Sequence, residues 1–238
     1  MGRVRSSDAA EVPPAPAPSR QIRTFAEAEA QARARHLTIR AAFHPTRDPA
    51  LPEGTQTVLM LGPDEPGFWP AFTDSDEWRD GTPDPMDRWS RRVIGAWAAD
   101  AGAHALYPFG GAPFLPFIRW ARDSGWVHGS PVGLLVHRDA GLWVSFRGAL
   151  ALPYRIALPP APPAPCPSCP DTPCVSACPV GALSATGSYD VPACKAHVAS
   201  PEGVACRTAG CRVRAACPAG ATLGRMNAHS AYHMTQFL

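Results

Sequence analysis

All eight cysteines of this 238-residue chain fall between Cys166 and Cys217, so one residue type is confined to the last third of the sequence. The first run, "CPSCPDTPCVSACP", spaces them Cys166-x2-Cys169-x4-Cys174-x3-Cys178 and ends on Pro179. The second is looser, Cys194-x11-Cys206-x4-Cys211-x5-Cys217, and ends on Pro218. Thiols this dense serve as a disulfide knot, a zinc site or an iron–sulfur centre. The first 20 residues carry no apolar signal-peptide core and no adjacent arginine pair, so the expected compartment is the cytoplasm, where thiols stay reduced and disulfides are rare. Zinc prefers two Cys-x2-4-Cys knuckles with a spacer, four ligands to a site, and eight cysteines would suffice for two such ions. A dense thiol run closed by Cys-Pro is instead the pattern of an iron–sulfur centre.

Residues 166–238 therefore resemble a ferredoxin domain with two [4Fe–4S] clusters. The crossing rule of that family, in which the last cysteine of each run ligates the other run's cluster, implies one cluster on Cys166, Cys169, Cys174 and Cys217, and the other on Cys178, Cys194, Cys206 and Cys211. The x4 gaps and the eleven residues before Cys206 depart from the compact family pattern and bear on Cys194 and Cys206 most.

The rest of the chain reads as an α+β domain. Residues 1–20 are Pro/Ala-rich and expected to be disordered. "TFAEAEAQARARH" predicts a helix with Thr24 and Glu27 at capping-box spacing, and "TQTVLMLG" a buried strand. Residues 84–102 predict a helix, with Asp84 at its cap, Pro85 in its first turn and Gly102 at its stop; 114–125 predict another. "PVGLLVH" and "LWVSFRGAL" flank "RDAG" and predict a β-hairpin around Asp139 and Gly141. Strand alternation there puts Trp143, Ser145 and Arg147 on one face and Leu142, Val144 and Phe146 on the other. These readings divide the chain into a tail (1–20), an α+β domain (21–155), a proline-rich linker (156–165) and a cysteine module (166–238).

Within the α+β part, "GLLVHRDAGLWVSFRGALALP" (133–153) resembles the signature hairpin of the cobalamin-processing decyanase/dealkylase family, with Gly133, His137, Gly141, Trp143, Arg147-Gly148 and Pro153 in register. "LGPDEPGFWPAF" and "DPMDRW" are similar to that family's upstream segments. Epoxyqueuosine reductases and reductive dehalogenases join a related corrinoid-binding domain to a two-cluster ferredoxin domain, in the order found here. The resemblance covers about 55–155. It implies a nitroreductase-like α+β domain that takes a corrinoid such as cobalamin, with Gly133, His137, Arg147 and Gly148 as candidate binding residues and Arg147 in the glutathione-binding position. Plainer roles stand beside these: Gly141 in a turn, His137 as a hydrogen-bonded strand end, Trp89 and Trp97 in the core, Asp84 and Asp87 at a helix cap.

Three functional readings follow. The first is an iron–sulfur protein that takes electrons from a ferredoxin- or flavodoxin-reductase-type donor and passes them to a corrinoid. The second is a plain ferredoxin-like carrier with a degenerate N-terminal domain. The third is a tRNA epoxyqueuosine-type reductase, against which the net charge of +2 argues, since nucleic-acid binding needs a concentrated basic surface. No run reaches the ~20 apolar residues that a membrane span needs. No catalytic residue is named by the sequence, and oxidoreductase is the class implied should the chain be an enzyme.

Overall fold

The structure, a computed structural model, describes residues 21–238, so the tail expected over 1–20 lies outside the described residues. Helix α1 (Phe25–Arg33) starts where its sequence provides a cap: Thr24 Oγ1 accepts from the Glu27 amide at 3.1 Å, and Glu27 Oε2 accepts from the Arg23 amide at 2.8 Å. Strand β1 (Leu37–Phe43) follows and pairs antiparallel with β2 (Thr57–Pro63). β2 then pairs antiparallel with β6 (Gly148–Leu152), and β6 with β3 (His104–Leu106), giving a four-stranded sheet in the order β1-β2-β6-β3.

Every residue of β2 and β6 is buried, because this antiparallel sheet is covered on both faces. Leu59, Leu61, Leu150 and Leu152 point to one side, where they meet α1 and the long helix α4 (Pro85–Ala101) through Ala28, Ala32, Trp89, Ile94 and Trp97. Val58, Met60, Ala149 and Ala151 point to the other, against α5 (Phe117–Asp123) through Phe117, Trp120 and Ala121. The period of two along each strand thus sorts its side chains into two cores. Short helices α2 (Phe68–Thr73) and α3 (Asp76–Arg79) add an aromatic group, Phe68, Trp69, Phe72 and Trp78, beside Trp89.

The local expectations fare unevenly. α4 stops at Gly102 with φ 63°, as its sequence suggests, but Asp84 sits at φ 54° and its side chain caps nothing. The second predicted helix begins only at Phe117, after Pro116. The hairpin around Asp139 and Gly141 does not form. β5 (Leu135–His137) pairs instead with β4 (Val127–Gly129), and residues 142–147 form no strand before β6 joins the main sheet. Pairing with β2 and β3 draws 148–152 away, leaving only a bridge between His137 and Gly141. The two-faced alternation across 142–147 falls with the strand: Arg147 and Val144 are both turned inward.

The proline-rich stretch lacks helix and strand yet is pinned, since the Ile156 amide donates to Thr57 Oγ1 at 3.3 Å and its carbonyl lies 2.9 Å from His44 Nε2. Beyond it come short helices α6 (Val191–Ala199), α7 (Val204–Ala209) and α8 (Arg212–Ala215), then α9 (Asn227–Phe237). A third core, of Val132, Val136, Leu142, Cys174, Leu183 and Val213, seats the cysteine region on the 132–142 segment. α9 returns to the first half of the chain, stacks His229 on Trp69 and sets Tyr232 tilted against the same ring. Among the described residues no helix is long and apolar enough to cross a membrane.

Candidate metal centre

The segment carrying the first cysteines is too rich in proline for an α-helix, so it advances in single 3-10 turns, Cys166–Ser168 and Pro173–Val175. These turns deliver Cys166, Cys169 and Cys174 to the wall of a cavity of about 770 Å3, and Cys217, from far along the chain, completes that wall. Burial pushes the Cys166 thiol up, and ionised neighbours at Cys217, Cys174 and Cys169 would push it further. Cys174 is raised by burial and then by Cys217 and Cys169. Cys217 enters this group because Pro218 opens another 3-10 turn, Pro218–Gly220, which packs against Gly141. Gly141 has φ 51°, and a Cβ there would lie 2.5 Å from the Gly220 amide nitrogen and 3.0 Å from Cys217 Sγ. Its glycine is needed for conformation and for close approach alike.

The remaining thiols form a second neighbourhood. Cys194 is raised by burial, then by Cys211 and Cys178, while neighbouring Tyr189 lowers it. Cys206 is raised by burial and by Cys211 and Cys194. Cys217 thus shares a cavity wall with Cys166, Cys169 and Cys174. All eight cysteines are free thiols. Among the described residues, no three His, Cys, Asp or Glu side chains converge tightly enough to chelate a single metal ion.

The four residues implied for a corrinoid have other work. Gly133 is the turn glycine of the β4–β5 hairpin, with φ 75° and nothing within 4 Å of where a Cβ would stand. His137 Nδ1 accepts from the amides of Asp139 at 3.0 Å and Ala140 at 3.2 Å; burial first, then Arg40, lowers its pKa to about 4. Arg147 is half-buried, pairs with Asp87, donates to Ser90 Oγ at 3.0 Å and lies over the Phe109 ring. Gly148 is closed in by Ile94 Cδ1 at 2.8 Å and the Leu106 carbonyl at 2.9 Å from a would-be Cβ. Asp87, expected as a cap, is the partner of Arg147.

What sequence reasoning missed lies between the two halves of the chain. Glu65, after β2, is buried with Arg225 and His229: Arg225 Nη1 donates to Glu65 Oε1 at 2.9 Å, and His229 Nδ1 lies 2.6 Å from the same oxygen. The three side chains are 2%, 9% and 0% exposed, so this is an interior charge cluster. Burial alone would raise the Glu65 carboxyl, but His229 and Arg225 together hold it below the ordinary glutamate value. His233, one turn on along α9, places Nε2 3.1 Å from His229 Nε2; burial, then Arg225 and His229, depresses it to about 2. His233 lines an inner cavity of about 260 Å3 that also touches Trp143, Arg214, Arg225, Cys194 and Cys211. The i, i+4 histidine pair in "NAHSAYHM" was the available signal.

The geometry defines an α+β protein with antiparallel sheets and a cysteine-rich C-terminal region that carries eight cysteines between 166 and 217. Comparison with protein-family models, with curated proteins and with solved structures finds no match.

Proposed function

We propose that this chain is an electron-transfer protein holding two [4Fe–4S] clusters, one on Cys166, Cys169, Cys174 and Cys217, the other on Cys178, Cys194, Cys206 and Cys211. One observation carries the reading: four free thiols, one of them distant in sequence, line a single cavity. A donor set made only of thiols suits soft iron–sulfur centres. Zinc would need its ligands drawn to one point about 2.3 Å from each sulfur, and the thiols here surround a volume instead. When bound, the clusters supply one-electron transfer at potentials set by charge, hydrogen bonding and burial.

The chain's own residues set those terms. Arg214 is half-buried, donates to the Leu142 carbonyl and faces Cys211, so its charge offsets that thiolate. Tyr189 neighbours Cys194 and favours its ionised form. An electron donor of the ferredoxin- or flavodoxin-reductase type is the partner this chemistry requires. The finer reading of residues 55–155, a nitroreductase-like domain taking cobalamin, has the resemblance of 133–153 as its support. The structural roles of Gly133, His137, Arg147 and Gly148 weigh toward the electron-carrier reading. Titration of the reduced protein with cob(II)alamin separates the two: a spectral change supports the corrinoid reading, and none supports the carrier.

The cluster assignment is tested by exchange. Cys217→Ser is expected to abolish the cluster of the first run and Cys178→Ser that of the second, read by electron paramagnetic resonance of the reduced proteins. Loss in each case of the cluster of the mutated cysteine's own run would overturn the crossed assignment.

A further inference from the structure

A cleft of about 330 Å3, lined by no cysteine, is walled by Arg40, Asp64, Glu65, Trp126, His137 and Asp139. Arg40 comes from β1 and is only 8% exposed. Its Nη2 donates to the Pro63 carbonyl at 3.0 Å, and it pairs with no carboxylate among the described residues; Asp64, Asp139 and Glu65 act on it only through space. A guanidinium has five N–H groups, so most of its donors are left over. A buried cation is ordinarily paired, because leaving it unpaired is costly.

His137 is 3% exposed. Its Nδ1 accepts from the amides of Asp139 and Ala140, so the neutral ring carries its proton on Nε2. That N–H has no partner among the described residues, and neither has Glu65 Oε2. Buried polar atoms are nearly always paired. The walls of this cleft thus hold a cation, a donor and an acceptor that the rest of the described chain leaves open. A metal ion does not answer them. His137 offers a proton there and not a lone pair, and among the described residues no three His, Cys, Asp or Glu side chains converge to chelate one. A single bridging water does not fill the space, since its share of liquid volume is about 30 Å3. An anion alone would face the carboxylates of Asp64, Glu65 and Asp139, and a cation alone would leave Arg40 unanswered. A zwitterion answers both.

We propose that this cleft binds a free amino acid with an apolar side chain. Its carboxylate accepts from Arg40 and from His137 Nε2, its ammonium donates to Glu65 Oε2 beside Asp64 and Asp139, and its side chain lies against Ile39, Trp126 and Leu223, which line the same cleft. Each group of the ligand then meets one the chain leaves open. The site needs no iron–sulfur cluster, so it stands or falls apart from the electron-transfer reading.

The test is isothermal titration calorimetry of the full-length protein with L-leucine, L-valine and L-phenylalanine. Leucinamide, which lacks the carboxylate, and isocaproate, which lacks the ammonium, are the controls. At least one of the three amino acids is expected to bind at one site per chain and to raise the thermal midpoint as it saturates. Each control is expected to bind at least about tenfold more weakly than L-leucine, the loss of one hydrogen bond to a charged group. Arg40→Gln is expected to weaken binding by a similar factor. His137→Asn keeps a side-chain oxygen for the turn amides and removes the Nε2 donor, so it should fold like wild type and yet bind several-fold more weakly. No binding of any of the three amino acids would overturn the site. So would controls that bind as tightly as L-leucine, or unchanged affinity in folded His137→Asn.

Discussion

Gly141→Ala tests whether the 132–142 segment and the last Cys-Pro turn are built as one unit. The added methyl meets two costs. A left-handed φ of 51° disfavours any side chain by about 1–2 kcal/mol. Contacts of 2.5 Å to the Gly220 nitrogen and 3.0 Å to Cys217 Sγ force backbone to move, and overpacking of that kind costs about 1–3 kcal/mol. Together they reach roughly 2–5 kcal/mol, against a total stability of about 5–15 kcal/mol. Gly133→Ala is the control, because Gly133 has φ 75° but open space around it, so only the backbone cost applies. Urea unfolding should place Gly141→Ala below Gly133→Ala by more than ~1 kcal/mol, and its anaerobically prepared form should retain less iron. Equal midpoints and equal iron in the two variants would refute the contact on which the placement of Cys217 depends.

Glu65→Ala leaves Arg225 buried without its carboxylate and should cost about 3–5 kcal/mol in denaturant unfolding. Because the folded protein holds the Glu65 carboxyl below its ordinary value, that stabilisation is present above the unfolded pKa and is lost as pH falls through the folded one. Glu65→Gln should accordingly lose less stability than wild type on acidification below about pH 4, followed by thermal unfolding. Arg147→Ala should destabilise by about 1.5–3 kcal/mol, since the guanidinium serves Asp87 and Ser90 together, and Arg147→Lys should not restore it because an ammonium cannot span both.

Local signals in the sequence carried as far as local physics decides structure. The cap at Thr24, the all-apolar run of β2 and the glycine stop at Gly102 each depend on neighbours within a few residues, and each appears in the fold. The hairpin around Asp139 failed because partner choice is not local: residues 148–152 gain more by pairing with both β2 and β3 than by folding back on β5. Asp84 had the right residue type for a cap, but its φ of 54° turns the side chain away from the amides it would serve. Arg147 read as a ligand-binding cation in an apolar stretch; its carboxylate partner, Asp87, lies on a helix far off in sequence. The pairing of Glu65 with Arg225 and His229 could not be read for the same reason, since the partners are 160 and 164 positions apart. The cysteine-rich C-terminal region was legible because all eight cysteines fall between 166 and 217.

The central claim is that these eight thiols hold iron–sulfur clusters. It is tested most directly by metal analysis and absorption of the full-length protein purified without oxygen. The account predicts a brown protein with about eight irons per chain, two clusters of four. A colourless protein with stoichiometric zinc would contradict it.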